Sequence, residues 1–324
     1  MNTKNTTNIS FINNTEDHQK ITEELPIWFK HVLPMIIIAI GVLGNTIAIV
    51  ALSKKQYRKI STCYYMLALA YSDNFVMILF VVRWINRLPQ SPLKHNTTFC
   101  IMYFFCIRLG LGLSAWILML LTFDRFIAIW YPFRAKLWCT VNRARICLLI
   151  IGVVQVLSHI PYFWRYSNPD GKTFSSQCPY NLPKNTVEAY VIARIVLFDR
   201  LVPWIIILVF TIAMTIELCQ STRRRQVDLN CTTSKDIPRR VAAMSLVVAW
   251  AFFILTFPTS IYEGVRTFST HHQFTLSTWL YELFVYLLYL NSAINFYLYI
   301  SVAKKFRNDV NTLICKKNIA ESSQ

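Results

Sequence analysis

Seven long apolar stretches, at 32–52, 60–82, 101–123, 146–164, about 187–216, 241–262 and 283–303, constrain this chain more than any single motif in it. A bilayer core of roughly 30 Å is crossed by a helix of about 20 apolar residues, because only a helix satisfies every backbone polar group within its own segment. The stretches at 32–52, 241–262 and 283–303 carry no charge, and 146–164 carries only His159. Asp73 interrupts the second and Arg108 the third. The fifth is the least regular: 201–216 is uncharged, but Glu188, Arg194, Asp199 and Arg200 precede it, and its start near 187 rests on total length. A 55% hydrophobic, 15% charged composition with a mean hydropathy of +0.40 does not describe a water-exposed surface. Seven glycines and twelve prolines leave no room for a collagenous, linker-rich or largely disordered chain, and there is no internal repeat. The expected fold is an all-α membrane protein. A seven-transmembrane helix bundle at 27–302 follows an extracellular, glycosylated tail at 1–26. A cytoplasmic segment at 303–324 opens with a short amphipathic C-terminal helix at 304–314.

The net charge of +17 raises the question of a nucleic-acid partner, but the basic residues lie between the apolar blocks and form no single face. They report orientation instead, since Lys and Arg in short loops resist translocation. Lys54, Lys55, Arg58 and Lys59 lie after the first span, and Arg125, Arg134, Lys136, Arg143 and Arg145 after the third. Further basic residues flank the sixth span and follow the seventh, among them Arg223, Arg224, Arg225, Lys304 and Arg307. The opposite loops hold far fewer: Arg87, Lys94, Arg165, Lys172, Lys184 and Arg266. The expected placement is therefore a multi-pass protein of the plasma membrane with its N-terminus extracellular and its C-terminus cytoplasmic. Residues 1–25 have no apolar core, so the first span is expected to direct insertion.

This topology makes two further expectations. Glycosylation sequons at Asn5, Asn8, Asn13 and Asn96 fall outside, whereas the one at Asn230 falls inside and stays bare. Of nine cysteines only Cys100 and Cys178 lie clearly outside, so they are expected to form a disulfide that ties the loop after span four over the mouth of the bundle. Cys315, just past the amphipathic segment, is a candidate for palmitoylation.

Charges at membrane depth are costly and usually mark function. Asp73 is the deepest, and its natural company is Ser114 with Asn291, Ser292 and Asn295, all small oxygen-bearing side chains. They suit either a hydrated Na⁺, held at Asp73 and Ser114 as a structural ion, or a satisfied hydrogen-bond network without an ion. No other cofactor is expected. The outer halves of the spans carry Arg83, Arg108, Asp199, Glu263 and Glu282 among Tyr103, Tyr262 and other aromatics. That mixture suits a wet ligand pocket, or else ion pairs between helices such as Arg83 with Glu282 or Arg108 with Asp199. A seven-span hydrolase would need metal ligands or paired carboxylates in the membrane, and of six histidines only His159 is deep. The chain is not expected to be an enzyme. A transporter or channel remains the alternative from another class, although no two related halves are visible.

Across residues 27–315 the chain resembles the rhodopsin-like class of G protein-coupled receptors. The matching residues are Gly44-Asn45, Leu67 to Asp73, Cys100 followed at 125 by the arginine of Asp124-Arg125-Phe126, Pro203, Phe252 with Pro258, Asn295 to Tyr299, and Phe306-Arg307. The resemblance implies that Asn45, Asp73, Ser114, Asn291, Ser292 and Asn295 form a sodium and activation network. It implies that Asp124, Arg125 and Tyr299 serve coupling to a heterotrimeric G protein, that Cys100 and Cys178 are the family's bridge, and that Pro203 and Pro258 distort their helices. The departures are Ile151 for a tryptophan in span four, Thr256 for the aromatic switch in span six, Thr211 for a tyrosine in span five, and Phe296 for a proline in span seven. Pro238, Arg239 and Arg240 stand where an acidic clamp on Arg125 is usual, which implies a weak lock and basal activity. Tyr289 stands where opsins carry the retinal lysine, and Ile107 where aminergic receptors carry an aspartate. An extracellular peptide of neuropeptide type, meeting the charged mouth through its own charges, is the expected ligand; a small acidic or lipid-derived ligand is the alternative.

Overall fold

The computed structural model describes residues 25–86, 97–160, 198–199, 201–227, 236–268, 277–302, 304 and 306–312. Those residues are helical apart from short connections, and no strand occurs among them. A π-type turn, Trp28–Val32, leads into α1, Leu33–Leu52, whose Pro34 sits in the first turn where its missing N–H is no loss. Then come α2 at Ser61–Asn86, α3 at Thr97–Trp130, the short α4 at Pro132–Trp138 and α5 at Val141–His159. Thr140 caps α5 by accepting a hydrogen bond from the Arg143 backbone N–H at 3.4 Å. The set closes with α6 at Val202–Val227, α7 at Asp236–Phe268 and α8 at Thr278–Val302.

Seven of these helices are long and apolar enough to cross a membrane, as the sequence predicts. Most extend past the apolar stretches, while α1 and the inner end of α8 keep to them within a residue. The third span was expected to stop at 123, but α3 continues through Asp124 and Arg125 to Trp130. Beyond the hydrocarbon layer charge no longer carries a penalty, and helical hydrogen bonding simply continues. The fifth span is corrected more substantially: α6 starts at Val202 and runs inward to Val227, while the upstream half expected from 187 falls outside the described residues up to 197. Residues 198, 199 and 201 form a π-type turn into α6, so Pro203 stands at the second position of that helix. Pro258 is inside α7, where it removes a backbone donor as expected. After α8, residues 306–312 are helical and bury Phe306 and Val310, four residues apart, on one face.

Helix α3 is the hub, packed against α2, α4, α5, α6 and α7, while α1 closes the ring between α2 and α8. Since lipid tails are as apolar as leucine, helices in a bilayer are held by close packing and interhelical hydrogen bonds. Glycines allow that approach here. A Cβ on Gly41 would lie 2.4 Å from Met77 Sδ, one on Gly44 would lie 2.9 Å from the Tyr297 ring, and one on Gly110 would lie 2.9 Å from Val76 Cγ2. Towards the outer end, Phe80 and Tyr289 stack with ring centroids 3.8 Å apart. Leu43, Leu149 and Ile254 are exposed on the opposite faces, where lipid would cover them. Replacing Gly110 by valine is expected to push α2 from α3 and destabilise the bundle by about 1–3 kcal/mol; an unchanged apparent melting temperature of the purified protein would refute this crossing.

Candidate functional site

The deepest polar cluster forms around Asp73, which is fully buried on α2. Ser114 Oγ of α3 donates to Asp73 Oδ1 at 2.9 Å, and Asn295 Nδ2 of α8 donates to Oδ2 at 2.7 Å. Ser72 extends the chain, its Oγ 3.0 Å from Ser114 Oγ and 3.3 Å from the Gly110 carbonyl. Asn45 of α1 donates to the Ser292 carbonyl at 3.0 Å. Ser292 stands beside the same carboxylate, but its buried Oγ and that of Asn45 Oδ1 close no hydrogen bond of ordinary geometry. Asn45, Asp73, Ser114, Ser292 and Asn295 are thus brought together, tying α1, α2, α3 and α8 at one level, whereas Asn291 lines the cavity above. Their donors are hard oxygens around one negative charge, two of them unused, which fits a Na⁺ as well as it fits a dry network.

Above this cluster lies a small cavity. Its floor is Ser114, Asn291 and Ser292, and its walls include Arg108, Asp199, Trp204 and Thr256. Thr256 folds its hydroxyl back onto the Phe252 carbonyl at 2.7 Å, so a small side chain stands where the family's aromatic switch would fill the floor. The cavity therefore reaches down to the Asp73 layer. Thr211, the other departure, is fully buried, with a hydroxyl that finds no hydrogen-bond partner among the described residues.

The outer charges include an ion pair between helices and two side chains that line the cavity. Arg83 Nη2 holds Glu282 Oε1 at 3.1 Å and Oε2 at 3.4 Å, joining α2 to α8 beneath the mouth. Asp199 and Arg108 share the cavity wall, and Asp199 Oδ2 also meets His159 Nε2 of α5 at 3.3 Å. Sequence reasoning treated His159 only as a failed metal ligand. The signal available was that His159 is the only residue of its apolar stretch that can carry a positive charge and Asp199 lies at the outer start of the next one. His159 Nδ1 lies 2.7 Å from the Gln155 carbonyl, and Gly112 of α3 leaves room for both side chains, since a Cβ there would come within 3.0 Å of Gln155 Oε1 and 3.4 Å of Asp199 Oδ1. Tyr262 is buried on α7 with its ring 5.6 Å from that of Tyr281, and Tyr103 packs edge-on to Phe104.

At the inner end Asp124 is held from α2 by Ser61 Oγ at 2.8 Å and Thr62 Oγ1 at 2.7 Å, and it holds Arg125 Nη2 at 2.5 Å. Arg125 is thus restrained by its own neighbour. Tyr299 is buried against Phe306, its hydroxyl without a hydrogen-bond partner among the described residues. The helical segment after α8 is fastened to the loop after α1: Asp309 accepts from Tyr57 Oη and from Gln56 Nε2 at 2.9 Å, while Lys54 Nζ reaches the Asp309 carbonyl at 3.3 Å. Burial, and after it the Asp309 carboxylate, raises the Tyr57 phenol above its ordinary range, so it stays a donor. Cys178, Asn5, Asn8, Asn13, Asn96 and Cys315 fall outside the described residues, and of Cys100 and Glu263 only the backbone is described. No cluster of metal-binding His, Cys, Asp and Glu side chains occurs among the described residues.

Residues 44–299 match the family of seven-transmembrane receptors of the rhodopsin type. The chain belongs to that family, whose members are signalling receptors. It is 24% identical over 312 residues to the FMRFamide receptor of Drosophila melanogaster, an alignment covering 90% of this chain and 55% of the fly protein. It is 24% identical over 292 residues to an FMRFamide peptide receptor of Caenorhabditis elegans, covering 84% of this chain and 66% of the relative. A third relative, lysophosphatidic acid receptor 6 of Gallus gallus, is 24% identical over 246 residues, covering 71% of this chain and 75% of its own length. The chain thus spans only about half to two thirds of the length of the first two relatives.

Burial, then the negative charge of Asp124, pushes the Cys139 thiol up to about 12. At pH 8 Cys139 is expected to alkylate about tenfold or more slowly than the same cysteine in an unfolded peptide of that loop. Equal labelling of the two by iodoacetamide, read by peptide mass spectrometry, would contradict that environment.

Proposed function

We propose that this protein is a plasma-membrane receptor, N-terminus outside, which binds an extracellular peptide and activates a heterotrimeric G protein. The observation that carries the reading is the cavity itself, with a cation at Arg108 and an anion at Asp199 on one wall beneath the Arg83–Glu282 pair. A peptide offers both charge signs and aromatic area to such a mouth. The names of the fly and nematode relatives support the same class of ligand. A lipid-derived ligand is the second reading, supported by the lysophosphatidic acid receptor relative and by the largely apolar remainder of the cavity wall.

Ligand binding would favour one arrangement of α6, α7 and α8 over another, and the inner ends would part to admit the G protein at Arg125. Asp73, Ser114, Ser292 and Asn295 would hold a Na⁺, which supplies charge compensation for the buried carboxylate. The restraint on Arg125 comes from Asp124, and basal signalling above background is expected. In cells expressing the protein, a peptide library is expected to yield a second-messenger response that Arg125→Ala abolishes at equal surface display. Arg108→Ala is expected to weaken agonist potency about tenfold or more. No response to peptides but one to lysophospholipids would select the second reading. Replacing choline chloride by NaCl is expected to raise the apparent melting temperature of the wild type and to leave Asp73→Asn unchanged; equal behaviour of the two would favour the ion-free network.

A further inference from the structure

At the wall of the cavity a histidine and a carboxyl group meet away from water. Both are buried, His159 completely, and they come from different elements, the last residue of α5 and the turn that leads into α6. His159 Nδ1 stands 2.7 Å from the Gln155 carbonyl. A carbonyl oxygen only accepts, so Nδ1 carries the first ring proton, and Nε2 is left to face Asp199 Oδ2 at 3.3 Å. Two lone pairs opposed in a buried site repel, so a proton lies in that contact, on the imidazole or on the carboxyl. With it the pair has no net charge, whichever atom holds it.

The second oxygen of Asp199 points another way. A Cβ on Gly112 would lie 3.4 Å from Asp199 Oδ1 and 3.0 Å from Gln155 Oε1, so Oδ1 lies against α3 where Gly112 lines the cavity. Arg108 stands one turn from Gly112 on the same face of α3 and lines the same wall. Phe105, also from α3, sets its ring edge-on to the imidazole at 6.4 Å. Among the described lining residues Asp199 is the only acid. A ligand ammonium or guanidinium brought to it would meet a carboxyl already matched by a proton, beside a guanidinium of its own sign, and would lose its water without a counter-charge. An uncharged donor loses far less and still finds Oδ1 as its acceptor.

We propose that His159 is a positioning residue of the ligand site and sets what Asp199 takes: the N–H or O–H of an uncharged group, an amide or a hydroxyl, in preference to a cation. This rests on the reading of the cavity as the ligand site. His159 acts by holding Oδ2, which turns Oδ1 to the cavity, and by sharing the proton that cancels the charge.

Two small probes of one shape separate these chemistries: benzylurea, a neutral donor, and benzylguanidinium, its cationic counterpart. In full-length protein purified in lipid nanodiscs, benzylurea is expected to raise the apparent melting temperature at about tenfold lower concentration than benzylguanidinium. His159→Gln is expected to reverse that order, because glutamine can hold Oδ2 but brings no proton to share, and Asp199→Leu to remove the response to both. In protein carrying nitrogen isotope-labelled histidine, the His159 ring signals, recognised by their loss in His159→Gln, are expected to show Nδ1 protonated and Nε2 protonated or hydrogen-bonded at neutral pH. An equal or stronger wild-type response to the guanidinium, a response to neither probe, an order unchanged by His159→Gln, or an Nε2 signal of a bare lone pair each overturns the proposal. A peptide library that evokes no response while the preference for the urea stands would sink the peptide reading and not this one.

Discussion

A carboxylate at the centre of a bilayer has no water to solvate it, so hydrogen-bond donors must reach it from other helices. Asp73 imposes that condition here. Ser114 and Asn295 answer from α3 and α8, and Asn45 adds α1 through the Ser292 carbonyl. The register of the four helices is therefore linked through one charge, and the glycines at 41, 44 and 110 permit the approach that the bonds require. Moving any one of these helices along its axis would leave a buried polar atom unpaired, a cost of a few kcal/mol at membrane depth.

The cavity and the polar cluster are joined because Thr256 is small. A bulky ring at that position would separate ligand from network, whereas here Ser114, Asn291 and Ser292 are at once the floor of the cavity and members or neighbours of the Asp73 layer. A change at the floor can thus act on the network by direct contact. Thr211 deepens the departure, since its short hydroxyl leaves α6 without the long phenol that the family usually extends inward.

The sequence made the number of spans, their order and the Asp73 cluster legible because the bilayer converts each into a composition signal: a length of apolar chain, or a lone charge within it. It offered Arg83 with Glu282 only as one of two readings. Side-chain pairing across helices depends on rotation about each helix axis, which composition does not encode. For the same reason the sequence, which offers Arg108 as a partner of Asp199, does not reveal its contact with His159. The inner end of the third span is not legible at Asp124, because there the penalty that marks a span disappears while the backbone hydrogen bonding persists. The anchoring of Asp124 by Ser61 and Thr62 had no signal at all, since two hydroxyl residues at the start of a helix usually serve as caps.

The clasp of Lys54, Gln56 and Tyr57 on Asp309 has a mechanical consequence. It fastens the segment that follows α8 to the loop that links α1 with α2, and Tyr297, donating to the Ile40 carbonyl, fastens α8 to α1 higher up. These helices form a riveted frame. By contrast the described contacts of α6 with its neighbours include ring packing, Phe210 on Phe126 and Trp204 on Phe253. The described hydrogen bonds between helices thus gather where α1, α2, α3 and α8 meet, and α3 packs between that frame and α6.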